Sequence, residues 1–154
     1  NAAVPMGAVI AHQKIHDTII NATPTGVEFF HGYTYSAHPL AVASGLAAQQ
    51  AIREESVYDN VRQLAPAFEE AMHSLRGEPY VMDIRNLGLA GGMTLAPHKD
   101  GPGLRGYELF IKAYERGVSI RANGDTIALA PILTSNASDL DEIFDLVRQS
   151  LRAL

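Results

Sequence analysis

Apolar residues recur at three- and four-residue steps along two long stretches of the chain, and this spacing predicts two helices. One runs over residues 56–76, with Val57, Val61, Leu64, Phe68, Met72 and Leu75 on a shared face. Pro66 predicts a kink within it, and Gly77 its end. The other is capped by Ser138 and presents Leu140, Ile143, Phe144, Val147 and Leu151. A third helix, over 39–55, opens at Pro39, a residue that suits the first helical position. Its small residues Ala43, Ala47 and Ala51 predict close packing on that face. Residues 106–116 predict a fourth helix, closed by Gly117. Between these stretches the spacing changes. Residues 80–97 carry Gly88, Gly91 and Gly92 without helical periodicity, which predicts two strands with a bend or bulge. Residues 98–103 predict a turn, and 118–122 with 126–131 a hairpin across Asn123-Gly124-Asp125.

After residue 80 the order is therefore strand, strand, helix, strand, strand, helix. That order is an α+β subdomain with a small, mostly antiparallel sheet covered by helices. The N-terminal part reads differently. Residues 4–12 are apolar with Gly7 inside, which predicts a buried strand or strand-like segment, and a short helix is expected over 13–20. Residues 21–38 are irregular, with Pro24, Gly26 and Gly32. A long irregular stretch rich in aromatics is expected to be ordered and functional. Residues 1–38 read as the edge of a larger body, and 39–154 as a linking helix plus the α+β domain.

Composition narrows the function classes. The 154 residues are 47% hydrophobic and 19% charged, which suits a globular protein. Net charge is −5 without a basic tract, so nucleic acid is not an expected partner. No apolar run is long enough to span a bilayer, and no signal peptide is read, so no membrane partner is expected. The absence of cysteine removes thiolate chemistry and agrees with a cytoplasmic location. The first residue is Asn1 rather than Met, so a longer natural chain is expected.

The densest polar cluster is HGYTYSAHP, residues 31–39. A metal site is a poor reading of it. His31 and His38 are seven positions apart, which fits no helical pair and no zinc spacing, and Glu28 is the only carboxylate nearby. An anion cradle is a second reading. Gly32, Thr34 and Ser36 lead into a helix N-terminus, whose unpaired N–H groups and dipole attract phosphate. A capped helix with a structured entry loop is the third. Elsewhere, Arg121 near a strand end could clamp a carboxylate with its two-pronged guanidinium, or be merely solvated. Arg85 is expected to pair structurally with Asp83 or a carbonyl.

Four blocks in this order, VPMGAVIA, EFFHGYTYSAHPLAVASGLAA, DIRNLGLAGGM and VSIRANGDTIALAP, resemble the last third of class III (ω-type) aminotransferases. The likeness is strongest to the ω-amino acid:pyruvate (β-alanine:pyruvate) group, for which HGYTYSAHP is characteristic. It implies an α/β protein of the pyridoxal-phosphate-dependent transferase fold type I. The present chain would supply the edge of the large domain and the α+β small domain. It implies pyridoxal phosphate as cofactor and a homodimer, possibly a tetramer. Thr34, with Tyr33 beside it, would bind the cofactor phosphate of the neighbouring subunit. Arg121 would match the mobile arginine that pairs with the substrate carboxylate. The implied reaction is ping-pong through pyridoxamine phosphate, from an ω-amino acid or amine to pyruvate. Where most relatives have glycine, this chain has Ala37, expected to change little beyond tightening the helix entry. None of Lys14, Lys99 and Lys112 lies in the context of the Schiff-base lysine. That lysine is expected just upstream of Asn1, and this chain alone is expected to be inactive. The alternative is a free-standing, non-catalytic C-terminal domain that binds a partner or packs.

Overall fold

The computed structural model describes residues 4–23 and 32–154. The chain divides into two compact units, residues 1–54 and 55–154.

In the first unit, α1 spans Gln13–Asn21 and α2 spans Pro39–Glu54. His12 caps α1, its ring Nδ1 accepting the amide of Lys14 at 3.1 Å. The expected buried strand over 4–12 does not form. Residues 5–12 carry no regular structure, and Val9 and Ile10 are almost fully exposed. A strand needs a neighbour to take its N–H and C=O groups. Among the described residues of this unit there is no strand to provide one. The close-packed face of α2 also differs from expectation. Ala43 and Ala47 are exposed and only Ala51 of the expected face is half-buried, while Ala41, Ser44, Gly45 and Ala48 are half-buried too. Gly45 allows a close approach, since a Cβ there would stand 3.1 Å from the sulfur of Met6.

The second unit follows the expected order. It contains α3 (Val57–His73), β1 (Val81–Leu87), β2 (Ala90–Leu95), α4 (Leu104–Glu115), β3 (Arg121–Asn123), β4 (Thr126–Leu129) and α5 (Ala137–Leu151). The helix α3 runs continuously through Pro66 and buries Val57, Leu64, Phe68 and Met72. The strands form one antiparallel sheet in the order β1-β2-β4-β3, with a register irregularity between Val81 and Asp83 rather than at the glycines. Side chains alternate across it. Ile84, Met93 and Ile127, aligned in register, face the core, and the helices cover that side. Phe68 of α3 meets Phe144 of α5 edge-to-face, with centroids 5.6 Å apart. Gly91 admits Met72 against the sheet, because a Cβ there would come within 2.7 Å of its side chain.

The last helix is held at both ends. Its cap is Asn136 rather than Ser138. The Asn136 side chain accepts the Asp139 amide at 3.2 Å, and the Asp139 carboxylate accepts the Asn136 amide at 2.8 Å. This reciprocal pair satisfies two groups at once, which Ser138, already inside the helix, cannot do. At the other end, Glu78 receives Arg152 in a two-pronged bond of 2.8 and 2.7 Å, and Arg148 at 2.7 Å. These hydrogen bonds, Arg152's first, hold the Glu78 carboxyl down to about 2.

Candidate functional site

The entry to α2 is built by a tight turn. The Ser36 amide donates to the Tyr33 carbonyl at 2.9 Å, which closes residues 33–36. Ala37 follows with φ of 58°, the left-handed region in which glycine is at ease and alanine is strained. This reversal delivers His38 to the helix start, where its carbonyl accepts the Val42 amide at 2.9 Å. Pro39 has no N–H, and the amides of Leu40 and Ala41 find no acceptor inside the helix.

The turn, His38 and Ala41 border a cleft of about 540 Å³. One wall is residues 32–38 with Ala41 and Val42, and the other is residues 4–7. Among the described residues no carboxylate lines it. Thr34 is exposed there, and its hydroxyl makes no hydrogen bond among the described residues. Tyr33 is 60% exposed and lies in the same wall. The structure thus brings Tyr33 and Thr34 together at a helix N-terminus, in a setting of hydroxyls and amides that suits an anion. Residues 4–7 belong to this cleft although their sequence reads only as strand. The paired breakers Pro5 and Gly7 are the signal that could have marked them as a wall instead. His31 and Glu28 lie outside the described residues. Among the described residues, no three His, Asp or Glu side chains gather as metal ligands.

Arg121 belongs to the second unit, as the first residue of the edge strand β3. Its register partner is Ala128, which pairs in turn with Gly92, and Gly92 with Arg85. Cross-strand partners share a face. The row Arg85, Gly92, Ala128, Arg121 therefore lies on the side of the sheet away from the helices. Arg85 is engaged as expected, donating to Asp83 at 2.7 Å and also to the Thr94 hydroxyl at 3.0 Å. Arg121 is exposed and has no carboxylate partner among the described residues, so its guanidinium is open to an outside carboxylate.

The hairpin bearing Arg121 is tied to α4. Gly124 and Asp125 make its turn, with Gly124 at φ of 58°. The Asp125 carboxylate accepts the amides of Gly103 at 2.7 Å and Gly106 at 3.1 Å. It caps a helix whose own cap residue, Gly103, has no side chain.

Comparison with known proteins agrees along the whole chain. Residues 2–151 match the family model of aminotransferase class III. The β-alanine–pyruvate aminotransferase of Pseudomonas aeruginosa is 44% identical over 156 residues, covering 100% of this chain and 35% of that protein. The ω-amino acid–pyruvate aminotransferase of Pseudomonas putida is 44% identical with the same coverage, 100% and 35%. Among solved structures, a thermostable ω-transaminase mutant from Pseudomonas jessenii aligns with a TM-score of 0.75 at 29% identity, covering 81% of this chain and 29% of that one. The chain spans about a third of the length of the curated relatives it matches.

Proposed function

Since the chain belongs to the class III aminotransferases, we propose that it is the C-terminal part of an enzyme that moves an amino group from an ω-amino acid or amine to pyruvate. Pyridoxal phosphate, when bound, supplies the electron sink that such a transfer needs. The lysine that holds it, in this reading, is contributed by the upstream part of the same enzyme. The observation that carries the reading is the cleft at the start of α2, lined by the hydroxyl-bearing residues 33–36 and, among the described residues, by no carboxylate. A phosphate fits that chemistry. Thr34 would donate its hydroxyl to the phosphate and Tyr33 would flank it. In a homodimer, this turn would serve the cofactor of the neighbouring subunit. Arg121, open and unpaired among the described residues, would hold the keto acid carboxylate.

The test uses the full-length enzyme. Thr34→Ala is expected to weaken pyridoxal phosphate binding at least 10-fold in a fluorescence titration, and Thr34→Ser to stay near wild type. Unchanged affinity in Thr34→Ala would remove the cradle role. Arg121→Ala is expected to lower kcat/KM for pyruvate by about 10- to 100-fold, as losing a charged hydrogen bond of about 1.5–3 kcal/mol implies. The value for an uncharged amine should hold. Equal losses for both substrates would refute the clamp.

A further inference from the structure

We propose that Asp125 is a positioning residue for acceptor specificity, acting through Arg121; the inference rests on the carboxylate-clamp reading of Arg121. The strand β3 is weakly held. It is three residues long, lies at the sheet edge and, among the described residues, pairs only with β4. Such a strand does not by itself hold a long side chain at a fixed place. The hairpin turn is where it is anchored. Asp125 makes three separate bonds there. Its carboxylate takes two amides at the start of α4, Gly103 at 2.7 Å and Gly106 at 3.1 Å. Its own carbonyl accepts the Leu95 amide, just beyond the β2–β4 pairing, at 2.8 Å.

The fit around this anchor is tight. Gly106 lies so close to the turn that a Cβ would stand 2.0 Å from the Gly124 carbonyl oxygen. The turn therefore has little room to slide along α4. From this fixed point the hairpin register runs Asn123–Thr126, Ala122–Ile127, Arg121–Ala128. The position of Arg121 on the open face is thus set by a helix N-terminus on another element. An aspartate is the side chain that can serve both amides, because each of its oxygens accepts one. Asparagine offers one accepting oxygen and would turn an NH₂ toward an N–H. The chemical class it governs is a short α-keto acid, whose carboxylate is the group that Arg121 would meet.

The experiment measures kcat/KM separately for pyruvate and for an uncharged amine in the full-length enzyme, whose ping-pong kinetics keep the two values independent. The variants are Asp125→Asn, Arg121→Ala and the double variant. Asp125→Asn is expected to lower kcat/KM for pyruvate at least 10-fold, mainly through KM, and to leave the amine value within 2-fold. In the Arg121→Ala background it should have no further effect on pyruvate, because it acts through the side chain already removed. Equal losses for both substrates, or full additivity with Arg121→Ala, would overturn the proposal and reduce Asp125 to a structural cap. If Asp125→Asn unfolds, Asp125→Glu, which keeps both oxygens on a longer stem, must show the same pyruvate-selective loss, and a uniform loss overturns the proposal. If Arg121→Ala fails to discriminate, the clamp reading falls on that arm alone. If it discriminates and Asp125→Asn does not, only the present inference falls.

Discussion

Replacing Gly106 by alanine tests the junction between α4 and the β3–β4 turn, and two arguments about it give opposite signs. Judged as a helix position alone, Gly106→Ala should stabilise by about 1 kcal/mol, since glycine is a poor helix former. The structure says otherwise. The new Cβ would stand 2.0 Å from the Gly124 carbonyl oxygen, 3.0 Å from its carbon and 3.1 Å from the Asp125 Cα. Carbon and oxygen settle at about 3.3–3.6 Å, so the turn and the helix must part by more than 1 Å. The Asp125 bonds to Gly103 and Gly106, now 2.7 and 3.1 Å, would then leave hydrogen-bond range. Two bonds to a carboxylate at about 1.5 kcal/mol each amount to about 3 kcal/mol. Residual misfit adds about 1–3 kcal/mol. After the helix gain is subtracted, the net loss is about 3–5 kcal/mol. In a unit of this size that lowers Tm by more than about 10 °C. Urea denaturation followed by far-UV circular dichroism measures it. Gly117→Ala is the control. Gly117 has φ of 93° with open space around it, so only backbone strain of about 1–2 kcal/mol is expected there. A Gly106→Ala protein as stable as wild type, or more so, would refute the close approach of turn and helix.

Glu78 links stability to acid. Its carboxyl is held down to about 2 by Arg152 and Arg148, so its contribution is complete above the ordinary carboxylate range and lost as pH falls toward 2. Glu78→Gln is expected to cost about 1–2 kcal/mol at pH 7, after allowance for solvent screening, and to flatten the stability profile between about pH 4.5 and 2. A denaturation series across that range checks both, and an unchanged acid limb would count against the ion pairs. At the start of α5, Asn136→Ala should cost about 1 kcal/mol, while Ser138→Ala stays within about 0.5 kcal/mol. The reverse order in chemical denaturation would restore Ser138 as the cap.

What the sequence disclosed, and what it hid, follows from the range of each interaction. The helices α3 and α5 were legible because Leu64, Phe68 and Met72, and Leu140, Phe144 and Val147, repeat at helical spacing within one segment. The β3–β4 hairpin was legible because Gly124 marks its turn locally, and the two strands of 80–97 because their glycines break any helical spacing. The face of α2 was misread because an alanine-rich helix offers little contrast between its sides. Residues 4–12 have strand composition, but a strand is completed by a neighbour that composition does not name. Asn136 and Ser138 are both good capping residues, and only the reciprocal bond with Asp139 decides between them. The cluster at 33–36 was visible as polar residues before a helix, and its roles came from family resemblance. Ala37 was expected to matter little, and its left-handed backbone appears in no local pattern of residue types. The bonds of Asp125 to α4 join residues 19 and 22 positions apart, beyond any periodicity.

The sheet ends at β3, and this has an evolutionary consequence. A terminal strand with one hydrogen-bonded flank can change its outward residues without re-registering the strands behind it. Mutation at position 121 or 123 therefore falls where the scaffold is most forgiving. Lineages sharing this fold are free to vary the outward residues of this strand while the aromatic and aliphatic interior stays under separate selection.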